Sequence, residues 1–249
     1  MMEDGLFEQF PCDAIFAMHN MPGFPRGKLL LRDGATMASS ENITITLEGK
    51  GGHGAMPHVA IDPVVAGAAI VMGLQTIVAR NVPPLHMAVI TVGAFQAGEA
   101  NNVIPQTATL KLSVRSLDRA VRQLLNRRIR ELVEAQAQSY GCQATVDFQG
   151  GYPVLVNTQP ETEFARQVAL ELLGADQVVL QTAPLTGSED FAFMLEQVPG
   201  SYLFIGNGDA ASGGHGACMV HNPNYDFDDG NIAIGSAYWV RLTERFLSA

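Results

Sequence analysis

Cysteine, charge and long apolar runs are all scarce in this chain, and each scarcity excludes a class. Cys12, Cys142 and Cys218 are its 3 cysteines, widely spaced and without a C-x-x-C pair. An odd, scattered set excludes a disulfide framework and reads as reduced thiols in a reducing compartment. Charged residues make up 16%, with Lys+Arg 15 against Asp+Glu 25, a net charge of −10 and pI ≈ 4.9. A field of that sign repels phosphate, so neither nucleic acid nor an anionic membrane surface is an expected partner. The uncharged stretch Pro63 to Ala79 is 17 residues and contains Gly67, Gly73, Gln75 and Thr76. A membrane span needs about 20 predominantly apolar residues, so a buried helix of a soluble domain is expected there. Glu3 and Asp4 stand where a secretory leader carries basic residues, which makes the cytoplasm the expected location. No H-E-x-x-H, G-x-S-x-G or Walker loop occurs.

What is present is a globular composition, 47% hydrophobic over 249 residues, enough to bury one large or two ordinary domains. Asp13 to Met18 reads as a buried strand ending at the loop His19-Asn20-Met21-Pro22-Gly23. From Asn42 the pattern alternates, Ile43, Ile45 and Leu47 against Thr44, Thr46 and Glu48, which predicts a half-buried strand. A glycine loop, residues 49–54, precedes a helix capped by Asp62 with Pro63 in its first turn. Strands follow near 86–95 and 107–116. Asp118 then caps an amphipathic helix that Gly141 ends, and a last strand runs from Ala144 to Phe148. This β-α-β-β-α-β order over residues 40–149 is the ferredoxin-like arrangement. Beyond Gly150 a helix (161–173), strand (178–181), helix (189–197), strand (201–205) and final helix (229–247) alternate as in an α/β domain. The expected architecture is therefore an α/β domain, residues 1–39 and 150–249, interrupted by a ferredoxin-like unit.

Histidines are the main chemical candidates. His19 and His221 both stand at loops beside strands of the α/β domain, where site residues and metal ligands collect, although a structural role fits each equally well. His53, with His58 near it, lies in the glycine loop, where a ligand can approach closely or a solvated turn can simply carry a histidine. His86 and His215 read as structural. Gly187-Ser188-Glu189-Asp190 reads either as a capped helix start or as groups aimed at a site. Arg119, Arg122, Arg127, Arg128 and Arg130 read as a solvated helix face, given Glu131 and Glu134 beside them.

Six segments then occur in one order: Ala17-Met18-His19-Asn20-Met21-Pro22-Gly23; Gly51-Gly52-His53-Gly54-Ala55-Met56-Pro57-His58 with Asp62-Pro63; Asn101-Asn102-Val103-Ile104-Pro105; Val114-Arg115-Ser116; Gly187-Ser188-Glu189-Asp190-Phe191; and His221-Asn222-Pro223-Asn224-Tyr225-Asp226-Phe227. Together they resemble the metal-dependent amidohydrolases that include hippurate hydrolase, N-acyl-amino-acid hydrolases and auxin-conjugate hydrolases. The resemblance implies a di-metal α/β hydrolase domain with a ferredoxin-like lid through which the protein forms a homodimer. It implies two divalent metals of the Zn or Mn class and a small-molecule N-acyl amino acid as substrate. His19 and His221 match metal ligands. His53 matches the lid histidine that reaches toward the scissile carbonyl, often across the dimer. Asn102 and Arg115 match lid positions near the substrate carboxylate, and Gly187 and Glu189 belong to a loop lining the pocket.

The departures matter as much. The family pattern places a Cys-x-His metal motif and a Glu-Glu pair upstream, one Glu as general base and the other on metal; neither occurs here. Two close metals need bridging anionic charge that neutral imidazoles lack, and water needs a placed base. The expectation is the C-terminal part of an enzyme, with its parent hydrolysing the amide and this chain alone inactive. The alternative is a non-catalytic dimerisation or binding module. An RNA-binding version of the fold needs aromatics on central strands, and 107–116 has none.

Overall fold

The computed structural model describes residues 1–209, 216 and 218–248; His215 lies outside the described residues. In chain order the first elements are α1 (Leu6–Gln9), β1 (Ile15–Met21), β2 (Leu29–Leu31), β3 (Gly34–Met37), β4 (Ser39–Glu48) and β5 (Gly52–His53). Next come α2 (Pro63–Asn81), β6 (Ala88–Ala97), β7 (Val103–Ile104), β8 (Thr107–Ser116), α3 (Arg119–Ser139) and β9 (Gln143–Phe148). The last are β10 (Leu155–Asn157), α4 (Gln159–Leu173), β11 (Val178–Leu180), α5 (Phe191–Leu195), β12 (Gly200–Gly206) and α6 (Gly230–Leu247). The result is a mixed α/β fold with several sheets. It divides into two compact units, one of residues 1–36, 155–185 and 190–249, the other of residues 37–154 with 186–189.

The inserted unit, residues 37–154 with 186–189, is a four-stranded sheet in the order β6-β8-β4-β9 with every neighbour antiparallel. Strict alternation sends Ile43, Ile45 and Leu47 of β4 and Leu110, Leu112 and Val114 of β8 to one face, where all are buried. Helix α2 covers that face with Ala66, Ile70, Leu74 and Ile77, and α3 with Val121, Leu125, Ile129 and Val133, both at helical spacing. Each fully buried Leu or Ile contributes about 1.5–3 kcal/mol of transfer energy. At Gly67 an added Cβ would stand 2.6 Å from the tip of the Phe95 ring, so a larger residue there would displace that ring. Both helix starts follow the sequence reading: Asp62 accepts from Val64 N–H and Asp118 from Val121 N–H. Gly141, at φ 76°, ends α3 in the left-handed conformation that glycine adopts without penalty. Helix α2 is long and apolar enough by composition to cross a membrane, but its inner face is committed to this core.

The discontinuous unit has a second four-stranded sheet, order β1-β12-β2-β11, parallel at β1/β12 and β2/β11 and antiparallel at β12/β2. Helices α4 and α6 cover one face, burying Ala165, Val168, Tyr238 and Leu242 against Leu29, Leu31, Leu203 and Ile205. The Tyr238 hydroxyl donates to the carbonyl of Ala165 at 3.1 Å, and burial pushes its pKa upward. Tyr202, Phe204 and Phe191 gather on the other face.

Several local expectations change. The first strand does not stop at Met18 but continues through His19 to Met21, because pairing to β12 uses only backbone groups and tolerates the polar residues. The glycine loop is not free: Gly52 and His53 form a short ladder with Ile104 and Val103. The helix expected over 189–197 shrinks to Phe191–Leu195, and β2, β3 and β10 are additional short strands.

Candidate active site

In the discontinuous unit, His19 stands one register step from Asn20 at the C-terminal end of β1, opposite Phe204. Its Nδ1 lies 2.7 Å from the Asn20 carbonyl oxygen. A carbonyl can only accept, so in the neutral ring Nδ1 carries the proton and Nε2 keeps its lone pair. That is the tautomer of a histidine ready to ligate a metal, with its other nitrogen held by a backbone carbonyl. The ring lies beside Tyr202 and Phe204, on the sheet face away from α4 and α6.

His221 is exposed, with φ 68°. The segment after it is tied to the same sheet end. Asn20 donates to the Tyr225 hydroxyl. Asn207, fully buried at the end of β12, donates to the Asp226 carbonyl and accepts from Asp228 N–H, both at 2.9 Å. Burial and the neighbouring Asp226 raise the Tyr225 pKa, which keeps its hydroxyl protonated at neutral pH. Thus β1 and β12 fix a loop that carries one candidate ligand while β1 itself carries the other.

In the inserted unit, His53 is exposed at the tip of β5. Ala55 N–H donates to its Nδ1 at 3.0 Å. An occupied Nδ1 lone pair puts the neutral ring's proton on Nε2, the opposite tautomer from His19. His53 therefore presents a donor where His19 presents an acceptor. Gly54 N–H donates to the Asn102 carbonyl at 2.8 Å, and an added Cβ at Gly54 would meet that carbonyl at 3.0 Å, so glycine permits the close approach of the two segments.

Arg115 lies on β8, on the face opposite the helices, with Ser40 and Val89 as its register partners. Its Nη1 donates to Ser188 Oγ at 2.9 Å, and the Gly187 carbonyl accepts from Ala38 N–H at 2.9 Å. The structure thus joins Arg115 to the Gly187–Glu189 segment. It does not join either to His53 or Asn102. Those belong beyond the Thr107 end of β8, where Gly49 N–H meets the Gln106 carbonyl. Thr107 and Arg115 are eight residue steps apart along the strand, about 27 Å at the usual rise. Asn102 and Arg115, both expected near the substrate carboxylate, thus lie toward opposite ends of β8.

Among the arginines of α3, Arg122 departs from the solvated face expected of them, while Arg127, Arg128 and Arg130 keep to it. Arg122 donates to Glu41, which is buried, and Arg127 and Arg128 meet Glu131 while Arg130 meets Glu134. His86 stands 3.7 Å from Asp118, and His58 is an exposed residue of a short 3-10 turn.

The sequence profile of peptidase family M20/M25/M40 matches residues 1–245. The chain belongs to this family. It is 38% identical over 247 residues to hippurate hydrolase of Campylobacter jejuni, covering 99% of this chain and 63% of that protein. It is 34% identical over 249 residues to N-acetyl-L-cysteine deacetylase of Bacillus subtilis, covering 100% of this chain and 57% of the relative. A solved structure of YxeP from Bacillus subtilis, described as a dinuclear metal binding peptidase of the M20 family, matches with TM-score 0.80 at 27% identity, over 100% of this chain and 60% of that one. The chain thus spans about three fifths of the length of these relatives.

Among the described residues the candidate metal ligands are His19 and His221. His19 fits a ligand by its tautomer, and His221 by its exposure on a fixed loop. Among the described residues no group of three or more His, Cys, Asp or Glu comes together that could hold a metal. Two neutral imidazoles do not offset the repulsion of two close cations, so a metal pair needs further anionic ligands. Sequence reasoning missed Ser188 as the partner of Arg115, and Asn207 and Tyr225 as anchors of the His221 loop. For Asn20 and Tyr225 a signal existed, since both sit inside the ordered motifs; the remaining pairings are long-range and leave no local trace.

Proposed function

We propose that the protein to which this chain belongs hydrolyses the amide bond of small N-acyl amino acids of the hippurate type. The observation that carries this reading is the pair of opposite tautomers: His19 offers a lone pair suited to a metal, and His53 offers an N–H suited to a carbonyl oxygen that gains charge. His19 and His221 would hold divalent metal of the Zn or Mn class, which supplies activation of the attacking water and of the carbonyl. Arg115 receives the substrate carboxylate, with Gly187 and Glu189 lining the same pocket and Asn102 working beside His53.

The inserted unit acts as a ferredoxin-like lid, a reading supported by its strand order β6-β8-β4-β9 with all neighbours antiparallel. The separation of His53 from Arg115 supports a homodimer in which His53 of the partner subunit reaches the scissile carbonyl of a substrate whose carboxylate is held by Arg115 of this one. The outward apolar residues Val64, Val65 and Met72 of α2 offer surface for that association. Sedimentation should show a dimer; a monomer at every concentration removes the shared site. The expected setting is the cytoplasm, with neither nucleic acid nor membrane as partner.

Turnover of hippurate or N-acetylcysteine by the longer protein, supplied with Mn²⁺ or Zn²⁺, tests the reading. No hydrolysis of any N-acyl amino acid overturns it. The absence of a Glu-Glu pair and of Cys-x-His favours a second statement: these 249 residues alone hydrolyse little and act as a dimerising, ligand-binding part. Full activity of a purified 249-residue preparation would refute that statement.

A further inference from the structure

The segment that carries His53 has glycine at positions 49, 51, 52 and 54, and glycine loses more freedom than any other residue when its backbone is fixed. A histidine on such a segment presents its Nε2–H in one direction only if other groups hold the backbone. Toward the tip, β7 does this: Gly52 and His53 pair with Ile104 and Val103, and Gly54 N–H donates to the Asn102 carbonyl at 2.8 Å. Toward the base the ladder stops, because Lys50 turns to Ile61. Its N–H donates to the Ile61 carbonyl at 2.9 Å, and its carbonyl accepts from Ile61 N–H at 3.0 Å.

The backbone groups that flank Lys50 are bound instead by one side chain. Gln106 Nε2 donates to the Gly49 carbonyl at 2.8 Å, and Gln106 Oε1 accepts from Gly51 N–H at 3.0 Å. The Gln106 backbone carbonyl accepts from Gly49 N–H at 2.9 Å. A carboxamide carries a donor and an acceptor in one plane, as a peptide group does, so this side chain stands in for the strand residue that the ladder lacks here. Glycine at 51 permits the approach, since an added Cβ would meet the Ile104 carbonyl at 3.0 Å. We propose that Gln106 is a positioning residue for His53: its amide clamps the base of the glycine segment, and the reaction senses it only through the direction of the His53 Nε2–H. This rests on the reading of His53 as donor to the scissile carbonyl.

Hydrogen exchange of the 249-residue chain reads the clamp without any need for activity. Gln106→Ala should speed exchange at Gly51 and Gly54 about tenfold and leave the amides of α2 and α3 unchanged. Gln106→Glu keeps the shape and the acceptor but, ionised at pH 7, has no proton for the Gly49 carbonyl, so it should also speed exchange at Gly51 and Gly54. In the longer protein with Mn²⁺, hippurate turnover reads the consequence. Gln106→Ala should lower kcat about tenfold with KM within about twofold, because Gln106 spends its bonds on backbone and offers none to substrate. On a His53→Ala background the same change should cost less than about twofold, since the group it positions is gone. A merely structural glutamine would cost the same on both backgrounds. Equal losses on the two backgrounds, an unchanged kcat, or unchanged exchange overturn the role of Gln106. If His53→Ala slows turnover and Gln106→Ala does not, Gln106 alone falls; if His53→Ala keeps the wild-type kcat, the reading of His53 falls and the inference with it.

Discussion

The inserted unit and the discontinuous unit solve the same problem of covering a sheet in different ways. In the inserted unit the strands alternate strictly, two long helices present apolar stripes, and both helices begin on an aspartate whose side chain caps a backbone N–H. In the discontinuous unit β1 is half-buried along nearly its whole length, and α4, α5 and α6 begin without a side-chain cap. Order there comes instead from buried amides. Asn157 donates to the carbonyls of Arg32 and Tyr202 and accepts from Tyr202 N–H, and Asn207 clamps the His221 loop. One unit is held mainly by packing that its own strands and helices supply, the other by a few directional contacts near its candidate ligands. The difference teaches where chemistry can be placed: polar residues at the end of β1 and β12 cost packing but fix side-chain direction.

The largest effects should come from truncating the two cores. Leu110→Ala removes a fully buried side chain of β8 and should cost about 3 kcal/mol. Met18→Ala on half-buried β1 should cost about 1 kcal/mol, because much of its surface already meets water. Denaturant unfolding of both variants measures the difference, and equal costs would erase the contrast between the units.

Helix starts give a smaller and sharper version of the comparison. Asp118→Ala deletes a cap bond of 2.9 Å and should cost about 1 kcal/mol. Asp229→Ala, at the start of α6, deletes no cap bond and leaves only a dipole contribution of about 0.5 kcal/mol. Thermal midpoints that fall equally in both variants would show that the geometric cap is not what distinguishes them.

The same contrast explains what could be read from the sequence. Alternation in β4 and β8, the two aspartate caps and the stripe on α3 are local signals, and the chain order of strands and helices in the inserted unit follows from them. The ladder of His53 with Val103 and the bond from Arg115 to Ser188 join residues fifty and more positions apart, so no window of sequence contains them. Leu29-Leu30-Leu31 is too short a run to separate from a loop without its neighbours β12 and β11. His19 was legible as a candidate site residue, yet its place inside a strand depended on backbone pairing, to which side-chain pattern is blind. The ordered motifs therefore located the candidate groups, and only the fold showed that His53 and Arg115 stand far apart.

The smallest effect concerns α4, whose start lacks a cap and whose surface compensates with charge. Arg166 Nε donates to Glu163 Oε2 at 2.6 Å and Gln167 donates to Oε1 at 2.7 Å. These bonds, Arg166 first and Gln167 second, hold the Glu163 carboxyl down from its ordinary 4.5 to about 2. A depressed folded-state pKa stabilises the protein above the unfolded value, and that stabilisation is lost as pH falls from about 4.5 through about 2. Glu163 is half exposed, so solvent screens the pair and its worth stays below that of a cap. Glu163→Gln should therefore lower the thermal midpoint slightly at pH 7, with the gap to wild type closing as pH drops toward 2. A gap that persists at the acid end, or one larger than that of Asp118→Ala, would mean that surface charge rather than buried amides holds the discontinuous unit.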